Sequence, residues 1–141
     1  MAYVDGITEE RHVMTMPCIA DDEIQLYRIV QAAAVANEVK AATSGVQYPI
    51  GITRDASENG KAVYEAEDPI ELAIYGVAYL EMYSNGFRGD KIMATAGGLG
   101  ARHTTQDGVY IIGNASKNWK SGEVIPIIID RYMVGDFSES A

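Results

Sequence analysis

Few side chains in this chain have types that could do chemistry. Two histidines (His12, His103), one cysteine (Cys18) and two acidic clusters, Asp21-Asp22-Glu23 and Glu65-Ala66-Glu67-Asp68, make up the set. An activated thiol needs a neighbouring base or a Cys-X-X-Cys partner, and Cys18 has neither. Neither histidine falls in a motif, which leaves a surface or hydrogen-bonding role for each. A calcium loop places carboxylates at alternating positions around a sharp glycine turn, and neither acidic cluster has that pattern. Both read as solvated faces. Gly97-Gly98-Leu99-Gly100 has the glycine density of a phosphate loop, but Ala101-Arg102-His103-Thr104-Thr105 follows instead of a helix start with Lys-Ser/Thr. A β-hairpin suits it better. Asn114-Ala115-Ser116 matches the glycosylation triplet only by chance if no secretory leader precedes it. No Gly-X-Ser-X-Gly elbow and no His-Glu-X-X-His pair is present. The expectation is a protein that is not an enzyme, with no catalytic residue, no cofactor and no metal.

The aromatic residues point to surfaces rather than to reactions. Nine tyrosines stand against two phenylalanines, a tilt toward amphipathic rings. Tyr75, Tyr79 and Tyr83 recur on one period-2 face and are the candidate subunit interface. Trp119 with Tyr110 is the pair a sugar-binding face would use.

Composition sets the frame for these residues. At 141 residues, with 48% apolar and 22% charged residues, the chain has the length and texture of one globular domain. Eleven Lys+Arg against twenty Asp+Glu give a net charge of −9. That balance argues against nucleic acid and against anionic membrane surfaces, both of which are gripped by clustered cations. A single cysteine cannot make an internal disulfide. Residues 1–23 lack the basic start and apolar core of a secretory signal, and apolar runs such as Ala32–Ala36 are far too short to span a bilayer. A soluble protein of a reducing cytoplasm is expected.

The elements that would position these residues are short. Residues 1–22 show neither a 2.0 nor a 3.6 period and read as an extended N-terminal arm with local β character near Val13–Met16. Val13, Met14, Met16 and Ile19 would then have to bury themselves on the body or on another molecule. From residue 23 to 135, short apolar runs alternate with turn residues. Ile24–Val30 begins the series, and Tyr48–Thr53 leads to a turn over Asp55–Gly60. Asp68-Pro69 opens the long run Ile70–Tyr83, in which Gly76 marks a bulge or bend. Asn85-Gly86 signals a hairpin turn, Gly97-Gly98 another, and Val109–Gly113 and Glu123–Met133 close the body. Residues 114–122 read as a polar loop and 136–141 as a flexible tail. Gln31–Glu38 has high helix propensity, but its surroundings favour strand, turn, strand. The fold class is mainly β: a compact antiparallel β-barrel or β-sandwich with an extended N-terminal arm.

The order of the pieces carries more than any one of them. Ile24–Thr53 (IQLYRIVQAAAVANEVKAATSGVQYPIGIT), the Asp55–Gly60 turn and the stretch Val63–Leu80 resemble bacteriophage capsid decoration (cement) proteins. Gly89–Thr95 with its glycine hairpin, Gly108–Ala115 and Ser121–Ile127 extend the resemblance over roughly residues 24–130. It implies a virion structural protein, made in the host bacterial cytoplasm, that forms a homotrimer. It also implies binding to the major capsid protein on the outer surface of the expanded head through the arm residues Val13, Met14, Met16 and Ile19. The longer arm, the Trp119 loop and the tail depart from the short members of that family. Two other readings stay open: a different virion module, such as a head fibre or tail-spike base, and a carbohydrate-binding β-domain. An enzyme would need a scattered acidic site such as two facing carboxylates.

Overall fold

The computed structural model describes residues 11–54 and 63–135. The Asp55–Gly60 turn and the 136–141 tail lie outside the described residues, as does the start of the expected arm. The strands are β1 (Arg11–Ala20), β2 (Ile24–Gln25), β3 (Ile29–Ala32), β4 (Glu38–Ala41), β5 (Gly51–Thr53), β6 (Val63–Tyr64), β7 (Pro69–Glu81), β8 (Lys91–Ala94), β9 (Gly100–Arg102), β10 (Val109–Ala115) and β11 (Val124–Val134). The only helical turn among the described residues is a 3₁₀ turn, Ala96–Gly98. The mainly-β reading holds.

Nine strands form one sheet in the order β1-β4-β3-β5-β7-β11-β10-β8-β9, and β1 also pairs with β7. The path β1-β4-β3-β5-β7 therefore returns to its own start. β7 is the spine, because both of its edges are used. Leu72 stands opposite Met16 of β1 on one edge and Thr53 of β5 on the other. Further along, Val77 stands between Arg11 of β1 and Ile128 of β11. One feature departs from a purely antiparallel sheet: β1 and β4 run parallel, with Ile19 opposite Glu38. The strand runs of Ile and Val suit this plan, since β-branched side chains pack well on a pleated surface.

Two apolar clusters hold the sheet. The larger gathers Leu80, Ile92, Ile112, Trp119, Ile125 and Ile127 with smaller neighbours, between β7, β8, β10 and β11. The other gathers Cys18, Ile24, Val30, Val39, Tyr64, Ile70 and Leu72 inside the ring of strands. A fully buried Leu or Ile contributes about 1.5–3 kcal/mol relative to exposure, so these residues dominate the stability.

The arm expected over residues 1–22 differs from the structure. Residues Arg11–Ala20 are a strand of the body, paired with β7 from Arg11↔Val77 to Ile19↔Pro69 and with β4 at Ile19 and Ala20. The lost periodicity has a local cause. The register slips between Arg11 and Met14 and again between Met14 and Thr15. On β7 the neighbouring Gly76 takes φ +94°, a conformation glycine adopts without strain. Pro17 is tolerated because its one strand neighbour is Glu71 of β7.

Two local readings hold and two do not. Ile29–Ala32 and Glu38–Ala41 are a strand, turn, strand, closed by the Ala33 N–H to Glu38 carbonyl bond of 2.9 Å, with Asn37 at φ +70°. Helix propensity loses there because Ala34, Val35 and Ala36 are exposed, leaving no apolar face to bury. The glycine segment is a hairpin: β8 pairs with β9 across Ala96–Gly98. Ile24–Val30, by contrast, is broken into β2 and β3 at Tyr27, whose φ is +61°. Asn85-Gly86 is not a hairpin turn either, because β7 and β8 are not neighbours in the sheet. Gly86 instead makes an isolated antiparallel bridge with Trp119.

Candidate interaction surfaces

The chemistry-bearing groups are dispersed. His103 is half-buried, with Nε2 2.7 Å from the Gln106 carbonyl. Cys18 sits in the inner cluster, and burial pushes its thiol up from the ordinary value. Among the described residues no group of three His, Cys, Asp or Glu side chains could hold a metal ion. The acidic clusters do meet, through a residue neither contains. Glu38 is held above the ordinary carboxylate value, first by desolvation, then by a hydrogen bond with Asp21 and the negative charges of Glu67 and Asp21. The parallel β1–β4 pairing brings these carboxylates together, which no local spacing announces.

The sign of that shift fixes a pH dependence. A carboxylate whose folded value is raised contributes stability below the ordinary carboxylate range and loses it as pH rises through the folded value. Glu38→Gln is therefore expected to melt at a higher temperature than the unchanged protein at pH 7. The difference should vanish as the pH falls below the ordinary carboxylate range. Thermal melts over pH 3–8 check it, and a Tm gap independent of pH would refute it.

Of the residues picked out in β1, Met14 and Ile19 face outward, while Val13 packs on the larger cluster and Met16 on the inner one. Met14 is the register partner of Tyr75, and the two side chains are 58% and 61% exposed. Beside Tyr75 lies a small depression of about 180 Å³ bordered by Tyr48, Ile74, Ile129, Asp130 and Arg131. Arg131 holds its place by donating Nη1 to the Ile50 carbonyl at 2.7 Å, and its guanidinium lies over the Tyr48 ring. Tyr48 in turn meets Tyr110 edge-to-face at 5.3 Å. The three tyrosines read as one interface have different surroundings. Tyr79 is half-buried edge-on against Tyr27, and Tyr83 is exposed beyond the end of β7. Extended chain at about 3.3 Å per residue puts Tyr83 roughly 25 Å from Tyr75.

A second surface surrounds Trp119. The indole is 3% exposed and belongs to the larger core cluster, so it is not a platform for a sugar ring, and Tyr110 is engaged with Tyr48. One edge of Trp119 borders a cleft of about 550 Å³, with Asn85, Phe87, Arg102, Asn118, Lys120 and Glu123 around it. Two asparagines fix the local backbone: Asn85 Oδ1 accepts the Ser121 N–H at 3.0 Å, and Asn118 Oδ1 accepts the Arg88 N–H at 2.9 Å. Asp90 Oδ2 accepts the Phe87 N–H at 2.8 Å and sits 3.4 Å from Arg102 Nε.

No family model matches the chain, and no curated protein matches it. A solved structure does: the N base of head fibre gp8.5 of bacteriophage phi29, at a TM-score of 0.64 and 14% identity. The likeness covers 84% of this chain and 94% of that one. The two share a fold. At that identity the similarity lies in the course of the chain, and it includes nearly all of the head fibre base.

The cleft is what sequence reasoning missed. Asn85-Gly86 and the 114–122 loop read as separate turns in the sequence, and the residue that joins them is the glycine. A Cβ at Gly86 would come within 2.0 Å of the Trp119 ring, so glycine is required where the tryptophan lies flat on the backbone.

Proposed function

We propose that this protein is a structural component of a phage head, docked on the outer capsid surface as a homotrimer that binds the major capsid protein and stabilises the expanded shell. The shared fold with a phi29 head fibre base, over nearly the whole length of both chains, is the observation that carries the reading. The exposed, register-paired Met14 and Tyr75 beside the Tyr48–Arg131 depression bring together methionine, tyrosine and arginine, residue types enriched in protein interfaces. Outward-facing Ile19 extends it along β1, and Tyr83 offers a separate contact for a neighbouring subunit. A rigid body repeated threefold multiplies weak contacts through effective concentration, so no single contact need be strong. The neighbour's role as a fibre base supports a second reading, in which this chain seats a longer fibre on the head.

Sedimentation with expanded, undecorated heads tests the proposal. The unchanged protein is expected to co-sediment to saturation. Tyr75→Glu should lose most of that occupancy, because a carboxylate would be desolvated without a partner. Lys117→Ala, on an exposed loop, should keep it. Absence of saturable binding by the unchanged protein, or full occupancy with Tyr75→Glu, would refute docking through this face. A monomer by light scattering at micromolar concentration would refute the trimer.

A further inference from the structure

We infer that the cleft beside Trp119 is a binding site for an acidic polysaccharide segment. Its volume, about 550 Å³, lies within the range of about 300–1,000 Å³ typical of small-ligand sites. Beside its apolar surface the lining carries four donor side chains, Asn85, Asn118, Arg102 and Lys120, the first three of them oriented by contacts within the protein. Asn85 and Asn118 spend their carbonyl oxygens on backbone N–H groups, which turns both amide NH₂ groups free of protein partners among the described residues. Arg102 is steadied at Nε by Asp90, and its terminal nitrogens have no partner among the described residues. The Lys120 ammonium has none there either. The carboxylate on this rim, Glu123, has one oxygen engaged by the Lys120 backbone N–H at 2.7 Å.

An aromatic surface completes the site. Phe87 is 60% exposed, with the Arg102 guanidinium 5.8 Å from its ring centre. An apolar ring edge flanked by amides and cations suits a sugar ring, whose C–H face packs on the aromatic while its hydroxyls and carboxylate meet the donors. The charge of the chain agrees. Residues 85–123 hold five of the eleven basic residues but only three of the twenty acidic ones. The remainder of the sequence is strongly acidic, so an anionic polymer is repelled by it more than by the segments that line the cleft. A nucleic acid would need a broader cationic track than this one cleft offers.

The single tryptophan borders the cleft, so intrinsic fluorescence reports occupancy directly. Oligogalacturonate, a neutral glucan oligosaccharide of equal length and inorganic phosphate are titrated separately into the full chain. A saturable fluorescence change is expected with oligogalacturonate alone. Arg102→Ala and Phe87→Ala should each weaken it about tenfold, the loss expected for one charge-assisted contact or one ring face. Lys40→Ala, on β4, should not change it. Circular dichroism of each variant confirms that the fold is kept, and both tested side chains are exposed. Three results would overturn the inference: no response to oligogalacturonate, equal response to the neutral glucan or to phosphate, or undiminished binding in the folded Arg102→Ala variant. The head-binding assay is independent of all three.

Discussion

Deleting residues 1–20 is expected to abolish cooperative unfolding, whereas deleting residues 1–10 leaves every described strand in place and should preserve it. β1 supplies the neighbour for one edge of β7 from Pro69 to Val77, and the parallel neighbour for β4 at Glu38 and Val39. Its loss opens the circuit of strands and uncovers Ile70, Leu72 and Val39 of the inner cluster. It also removes the buried Cys18 and Ala20 and the partly buried Met16 from that cluster, and Val13 from the other. Fully burying a side chain of that kind is worth about 1.5–3 kcal/mol. The total stability of a domain is about 5–15 kcal/mol, so several such losses with unpaired strand edges exhaust it. Thermal unfolding followed by circular dichroism, with amide dispersion in a proton–nitrogen spectrum, separates the two deletions. A sharp transition retained in the longer deletion would show that the body closes without β1.

Trp119→Ala should destabilise the protein by about 3–5 kcal/mol, as expected for removing a buried tryptophan and leaving a cavity. The indole is packed in the larger cluster with Leu80, Ile92 and Ile125. Gly86→Ala should be nearly as damaging, because its Cβ would stand 2.0 Å from the indole ring, and the two-way backbone bridge with Trp119 keeps the two loop segments from parting. The two effects are coupled rather than additive. In a Trp119→Ala background the extra methyl points into the space the indole vacated, so Gly86→Ala should then cost little. Denaturant unfolding of the four proteins gives the coupling directly. Equal cost of Gly86→Ala in both backgrounds would mean that the glycine is needed for its backbone and not for the ring.

The parts of the fold that were legible from sequence are those governed by neighbours along the chain. The strand–turn–strand at 29–41 and the Gly97-Gly98 hairpin each carry their own signal in a few residues, as does the irregular backbone at Gly76. What the sequence conceals is who pairs with whom at a distance. β1 reads as an arm because its bulge interrupts the alternation. Met14 and Met16 are two apart, yet one faces outward and the other inward, so the segment shows no period even though it is a strand. Val13, Met14, Met16 and Ile19 share hydrophobicity in the sequence, and the structure divides them by facing. Trp119 reads as part of a polar loop because its flanks are polar. Its destination depends on Gly86, more than thirty residues earlier, where the glycine looks like ordinary turn chemistry.

The pairing of β1 with β7 also governs how the chain can be made. As the polypeptide leaves the ribosome, β1 emerges long before Pro69–Glu81, which among the described strands is the one that pairs with most of its length. At about 5–20 residues per second the delay is roughly 3–10 s. During it Met14, Met16 and Ile19 travel in a nascent chain without their β7 neighbours, and β4, the earlier partner among the described strands, takes up just Ile19 and Ala20. Closure of the strand circuit is therefore a late event in synthesis, and β7 acts as the clasp. Substitutions that slow the formation of β7 should appear first as aggregation during expression, even where the finished protein, once folded, is as stable as before.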